Sequence, residues 1–243
     1  MNFTLKIWRQ EDSTKKGNFQ QYDLKNISEN MSFLEMLDEL NRTILKNDPV
    51  SFDFDCREGI CGMCSLVVNK KPHGGFKGRT TCQLYMRQFE DNSEITIEPF
   101  SNETFKVLKD LVVDRSSMDE VFQKGAYISV DVGSAPDAHS LLIKKDHAEK
   151  SMDAASCIGC GACVIACKNS SGLLFVSAKI NQYDYLEQGK IESESRMNNM
   201  LKKHDEFFGP CSNTQECEAV CPKEIKTENI SRLFKKSLKK IFS

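Results

Sequence analysis

Several features common in proteins of this size are missing. No apolar run approaches the roughly 18–20 residues that cross a bilayer, so the chain is not expected to span a membrane. The opening MNFTLKIWRQEDSTKK has no apolar core and no small-residue cleavage site, which argues against a secretory signal. An excess of one charge is also lacking. Lys and Arg number 33 against 35 Asp and Glu, giving a formal net charge of -2. No nucleic-acid partner is expected from that balance. The sequence contains no nucleophile elbow, no Walker-type phosphate loop and no G-x-G-x-x-G fingerprint. Nothing therefore marks a site for substrate chemistry. Histidine is scarce: His73, His139, His147 and His204 all lie outside the cysteine motifs. That excludes the His-for-Cys exchange of a Rieske centre. All four are read as surface or loop residues.

Cysteine is abundant instead, with 11 in 243 residues. Without a secretory signal, disulfides are a poor explanation, and an odd count leaves one thiol over. The cysteines fall into three groups at short spacings, and such clusters of soft thiolates select zinc or iron–sulfur clusters. Cys56, Cys61 and Cys64 follow a C-x4-C-x2-C pattern, and Cys82 comes after 17 intervening residues. This is the plant-type [2Fe–2S] arrangement. Gly59 and Gly62 allow tight turns that aim amide N–H groups at the sulfurs. A zinc site is the alternative, but zinc usually takes two separated C-x2-C pairs, and only one is present here.

Cys157, Cys160, Cys163 and Cys167 form the bacterial C-x2-C-x2-C-x3-C run, whose fourth cysteine serves a second cluster. The third group, CSNTQECEAVCP (Cys211–Pro222), aligns to the same run with Thr214 in place of the second cysteine. The exchange rule then assigns Cys157, Cys160, Cys163 and Cys221 to a [4Fe–4S] cluster. Cys167, Cys211 and Cys217 remain, and three thiolates favour a [3Fe–4S] cluster. A [4Fe–4S] cluster with a Thr214 oxygen ligand is the rival, weakened by the mismatch of hard oxygen to a soft site. All 11 cysteines are thereby used, and the chain reads as an electron wire.

The expected fold is α+β: an N-terminal β-grasp [2Fe–2S] ferredoxin-like domain, residues 1–105, followed by an α-helical bacterial-ferredoxin-like domain, residues 106–243, holding two cubane-type clusters. Phe3, Leu5 and Ile7 alternate with polar neighbours as a half-buried strand. Ser32 and Glu35 form a capping box for a helix over Ser32–Lys46, with Phe33, Leu37, Leu40 and Ile44 on its apolar face. Leu66–Val68 and Ile95–Ile97 read as strands, and Ser101–Asp114 as the segment leaving the domain. Helices are expected over Leu173–Leu186 and Arg196–Phe208. From Lys223 to Ser243, apolar residues Ile230, Leu233, Phe234, Leu238, Ile241 and Phe242 oppose Lys235, Lys236, Lys239 and Lys240. A terminal helix packed on its own domain is the simpler reading, and a basic amphipathic helix near an anionic membrane the other.

With the three cysteine groups read in order, the chain resembles the iron–sulfur subunit of succinate dehydrogenase / fumarate reductase, the succinate:quinone oxidoreductases. DCREGICGMC (Asp55–Cys64), Cys82, CIGCGACVIAC (Cys157–Cys167) and CSNTQECEAVCP carry the resemblance. KDLVVDRS (Lys109–Ser116) adds the family's connection between domains. The resemblance implies an FAD-containing flavoprotein partner at the [2Fe–2S] end. It implies a membrane-anchor cytochrome b subunit and quinone at the [3Fe–4S] end, on the cytoplasmic face of a bacterial inner membrane. Such a subunit is part of an enzyme of the tricarboxylic acid cycle or of fumarate respiration, but has no catalytic residue of its own. The chain departs from many members in having Lys168 where proline follows the cysteine. The only tryptophan is Trp8, so no quinone-contacting tryptophan carries over. The loop with His73-Gly74-Gly75 is longer than in many relatives. These departures resemble a bacterial branch associated with menaquinone and a dihaem anchor. Only 22 residues follow Cys221, which disfavours a soluble fumarate reductase with extra cysteine-rich domains.

Overall fold

The computed structural model describes residues 1–129 and 143–241. His139 and Phe242 lie outside the described residues. Strand β1 (Phe3–Arg9) buries every second residue, as its alternation requires. It pairs antiparallel with β2 (Asn18–Leu24) and parallel with β5 (Ser93–Pro99). β3 (Leu66–Val68) and β4 (Lys71–Pro72) complete a mixed sheet in the order β2-β1-β5-β3-β4. Helix α1 (Phe33–Thr43) lies on this sheet. Ser32 Oγ accepts from the Glu35 amide at 3.3 Å, and Glu35 Oε2 accepts from the Ser32 amide at 2.7 Å. That reciprocal box satisfies two of the helix's orphan donors. Phe33, Leu34, Met36, Leu37 and Leu40 join Leu5, Ile7, Leu66, Val68, Ile95 and Ile97 in one core. The helix stops three residues before Lys46, and Ile44 is exposed rather than on the core face. Thr43 Oγ1 bonds back to the Glu39 carbonyl at 2.7 Å, in the last turn where β-branched residues are poor helix formers.

The chain then runs as a strap between the two halves. Phe100 and Phe105 enter the second core, ahead of the hairpin β6 (Val107–Lys109) and β7 (Val112–Val113). Between those strands Asp110 returns to the first half. Its carboxylate accepts from Arg9 Nε and from the amides of Gln10 and Ser51, all at 3.0 Å. These three hydrogen bonds satisfy both oxygens of the buried carboxylate, which offsets the cost of burying the pair's charges.

The second half is helical: α2 (Ser116–Gln123), α3 (Lys145–Ala155), α4 (Ala162–Ala166), α5 (Leu173–Asp184), α6 (Glu187–Lys190), α7 (Ser193–Phe207), α8 (Glu216–Ala219) and α9 (Glu228–Ile241). α5 is buried nearly all round, as a helix apolar on every face should be. It packs against α3, α6, α7 and α9. On α9, Ile230 and Leu233 are buried against α5, whereas Phe234 and Leu238 are about half exposed, at 49% and 53%. The terminal helix thus packs on its own domain through only part of its apolar set.

Candidate metal centres

The first group sits on the loop between α1 and β3, with its distant member on the 3-10 turn Thr81–Gln83. Arg57, Gly59 and Gly62 all take positive φ, which curls the loop around its cysteines. The Cys56 sulfur accepts from the amides of Glu58, Ile60 and Cys61 at 3.3–3.4 Å. Those N–H dipoles pull its pKa down to about 7. Cys64 and Cys82 are buried. The thiol of Cys64 hydrogen-bonds Cys82, which lowers Cys82 to about 6 and raises Cys64. Thr80 Oγ1 lies 3.2 Å from the Cys82 sulfur. The turn itself is pinned by His73, whose Nδ1 accepts from the Thr81 amide at 3.2 Å. His73 is buried and pushed down to about 3 by desolvation, so it is a neutral packing residue and not a surface one. His204 is likewise buried, accepting from the Gly172 amide through Nε2 and lying against Phe208. Only His147 of the described histidines is exposed.

The other two groups exchange partners. One cavity is lined by Cys157, Cys160, Cys163 and, from far along the chain, Cys221. A second is lined by Cys167, Cys211, Cys217 and Thr214. They are equal in volume, about 20 Å³ each. The two loops also share a backbone. Gly159 and Gly161 have φ of +61° and +87°, and the aligned Asn213 and Gln215 have +56° and +66°. In each loop the second of these residues is the N-cap of a short helix, α4 or α8. Gly161 cannot be replaced as Gln215 replaces it, because a Cβ there would stand 2.9 Å from the Phe105 ring. Thr214 thus occupies the position of Cys160 in an otherwise repeated turn.

The burial of these thiols has a chemical consequence. Desolvation pushes Cys160 up to about 12 and Cys217 up to about 11, raises Cys157 and Cys221, and raises Cys163 well above the usual thiol range. Such thiols become thiolates only beside a strong positive charge. Among the described residues, no three His, Cys, Asp or Glu side chains converge closely enough for a single metal ion. The donor set fits a larger inorganic body that spreads its sulfur ligands over several irons. Amides at the second residue after the cysteine reach sulfur at Cys56, Cys61 and Cys211. The Cys221 sulfur accepts from the Ile225 amide at 3.4 Å.

Sequence reasoning missed the contact between the first two loops. Ser65 Oγ lies 2.9 Å from both the Gly62 and Cys160 carbonyls. Arg115 Nη1 donates to the Gly62 carbonyl at 2.9 Å, and Nη2 donates to the Gly159 carbonyl. Gly62 has φ +74°, and a Cβ there would stand 2.6 Å from the Ile158 carbonyl oxygen. No sequence motif announces a pairing across 95 residues.

Comparison with known proteins agrees with this layout. A family model for a 2Fe-2S iron-sulfur cluster binding domain matches residues 4–120, and one for a 4Fe-4S dicluster domain matches residues 144–225. The succinate dehydrogenase iron-sulfur subunit of Bacillus subtilis is 28% identical over 211 residues, covering 81% of this chain and 77% of that one. The fumarate reductase iron-sulfur subunit of Wolinella succinogenes is 26% identical over 242 residues, covering 91% of each. Among solved structures, a chain of the Mycobacterium smegmatis Sdh1 complex in the apo form shares the fold. Its TM-score is 0.69 at 21% identity, over 100% of this chain and 98% of that one. The chain belongs to the family of succinate dehydrogenase and fumarate reductase iron–sulfur subunits.

Proposed function

We propose that the chain relays electrons between FAD of a flavoprotein subunit and quinone at a cytochrome b anchor, with menaquinone favoured. Residues 1–105 form the [2Fe–2S] domain and 106–243 the domain of the [4Fe–4S] and [3Fe–4S] clusters. Cys56, Cys61, Cys64 and Cys82 hold the first cluster. Cys157, Cys160, Cys163 and Cys221 hold the second, and Cys167, Cys211 and Cys217 the third. When bound, the clusters supply stepwise one-electron transfer. The residues around them hold the sulfurs, set spacing, exclude water and supply N–H dipoles. The observation that carries this reading is the exchange, with Cys221 in the cavity of the first run and Cys167 in that of the second.

The surfaces at the two ends differ in a way that fits the two partners. Around the first loop Phe54 and Ile60 are 49% and 62% exposed, and Met63 is also exposed. Arg57 covers the Phe54 ring at 4.4 Å. An exposed apolar rim of this kind suits a protein partner, here the flavoprotein. At the third site Ser212, Asn213, Thr214 and Lys168 are exposed and polar. We place the quinone on this side, within reach of Lys168 and Ser212, and the subunit peripherally on the cytoplasmic face of the inner membrane.

Cys217→Ser in the intact complex tests the reading. It is expected to abolish the [3Fe–4S] signal and quinone reduction while flavin reduction by succinate persists. Full quinone activity in that variant would overturn the ligand assignment. Thr214→Cys restores the complete motif and is expected to convert the third cluster to [4Fe–4S]. An unchanged [3Fe–4S] signal would count against the exchange.

A further inference from the structure

Arg115 stands at the N-cap of α2, outside every cysteine motif, yet its guanidinium spans two of them. Nη1 donates to the carbonyl of Gly62, which lies between Cys61 and Cys64. Nη2 donates to the carbonyl of Gly159, which lies between Cys157 and Cys160. A planar fork with fixed donor directions is suited to holding two carbonyls in one geometry. Nε is buried with no hydrogen-bond partner, so the group is held there at a desolvation cost. Ser65 makes a second bridge a short way off. Its single hydroxyl proton is shared between the Gly62 and Cys160 carbonyls, each 2.9 Å away. Between these bridges the absence of a Gly62 side chain lets the first loop approach the Ile158 carbonyl and the Cys160 backbone.

The charge of Arg115 lies against both loops, through Nη1 on the Gly62 carbonyl and Nη2 on the Gly159 carbonyl. It disfavours protonation of His73, which pins the turn of Cys82. It also favours the carboxylate of Asp53, upstream of the first loop. A positive charge near a redox centre favours its reduced, more negative state.

We propose that Arg115, assisted by Ser65, is a positioning residue that fixes the first cluster loop against the second and raises the reduction potentials of both centres relative to the third. This rests on the cluster assignment given above. Passing an electron between the two centres oxidises one and reduces the other, with no bond made and no proton released. Spacing and potential are therefore what a bridging residue can control.

The test uses the intact complex, with potentiometric titration followed by EPR and with iron counted in each sample. Arg115→Gln removes the charge, and Arg115→Lys keeps the charge but loses the fork. In Arg115→Gln the first and second potentials are expected to fall while the third stays at the wild-type value. In Arg115→Lys the potentials are expected to remain near wild type, while electron arrival at the second centre after rapid reduction slows several-fold. Wild-type potentials in a fully loaded Arg115→Gln would overturn the tuning role. An equal shift of all three would do the same, because it would mark a general loosening. An unslowed Arg115→Lys would overturn the positioning role. If Arg115→Gln loads no cluster, Ser65→Ala and Arg115→Lys carry the test of positioning and both are expected to slow the transfer. Absence of clusters from the wild type would instead refute the cluster assignment, with iron analysis separating the two failures.

Discussion

The two halves of the chain solve the same problem, holding thiolates around iron, on opposite terms. The first half has a core of its own. Strands β1, β3 and β5 and helix α1 supply Leu5, Ile7, Phe33, Leu37, Leu40 and Ile97; Cys64 and Cys82 are buried beside them, while Cys56 and Cys61 sit at the margin. The second half folds around its cysteines. Cys160 and Cys163 are core residues, with Cys157, Cys211, Cys217 and Cys221 packed against them. Cys163 and Cys217 lie on α4 and α8, helices of five and four residues, and the others on the loops beside them. Helices so short do not persist in water without outside support. The difference in thiol chemistry follows from this. Half-buried Cys56 is drawn down to about 7 by three amides and Cys82 to about 6, with Cys64 alone raised, while burial drives Cys160 up to about 12 and raises its three companions. A scaffold that exists without its cluster can prepare a thiolate for it; a core completed by its cluster must wait for the charge.

The largest expected effect is on the second half alone. Stripping iron with a chelator under reduction should abolish hydrogen-exchange protection in α4, α5 and α8 while β1 and β5 stay protected. Equal loss in both halves would erase the distinction. The reverse lesion is Leu37→Ala, which should cost the first half about 3 kcal/mol, within the usual range for a buried leucine. Denaturant titration followed by the [2Fe–2S] absorbance should show it, with the two cubane signals retained to higher denaturant. Acidity offers a third contrast. Loading a thiol whose pKa lies above neutral releases a proton, so affinity for iron falls as pH falls. With Cys160 near 12 and Cys217 near 11, the second and third clusters should be lost to chelator faster at pH 6 than at pH 8. The first, with Cys56 near 7, should respond less over that range. The smallest effect is that of Ser32→Ala. It should cost about 1 kcal/mol, the usual worth of an N-cap, and leave the second half untouched.

Legibility in the sequence followed the physics of each feature. The capping box of Ser32 and Glu35 was visible because it depends on four consecutive residues. β3 was visible because Leu66–Val68 is a short apolar run beside a cysteine. β2 was not, because NFQQYDL (Asn18–Leu24) is a mostly exposed edge strand whose pairing comes from its neighbour β1. The break in the second run at Thr214 was plain in the spacing, and the shared positive-φ backbone gives that alignment its physical form. Burial of His73 and His204 was invisible, since their neighbours Thr81 and Gly172 lie 8 and 32 residues away. The split of α9 into Ile230 and Leu233 inside and Phe234 and Leu238 outside was hidden too, because periodicity states which residues share a face but not how much of it is covered. Arg115 lay inside the motif KDLVVDRS, but its bridging role was hidden, because it rests on two carbonyls that any residues would supply.

The central claim is that 11 cysteines hold three clusters of different size. EPR of the anaerobically purified chain, oxidised and then reduced, with iron, zinc and sulfide analysis, tests it most directly. The account predicts about nine iron atoms per chain, a [3Fe–4S] signal in the oxidised sample and a [2Fe–2S] signal on reduction. Zinc in place of iron, or a third site with four irons in protein never exposed to oxygen, would contradict it.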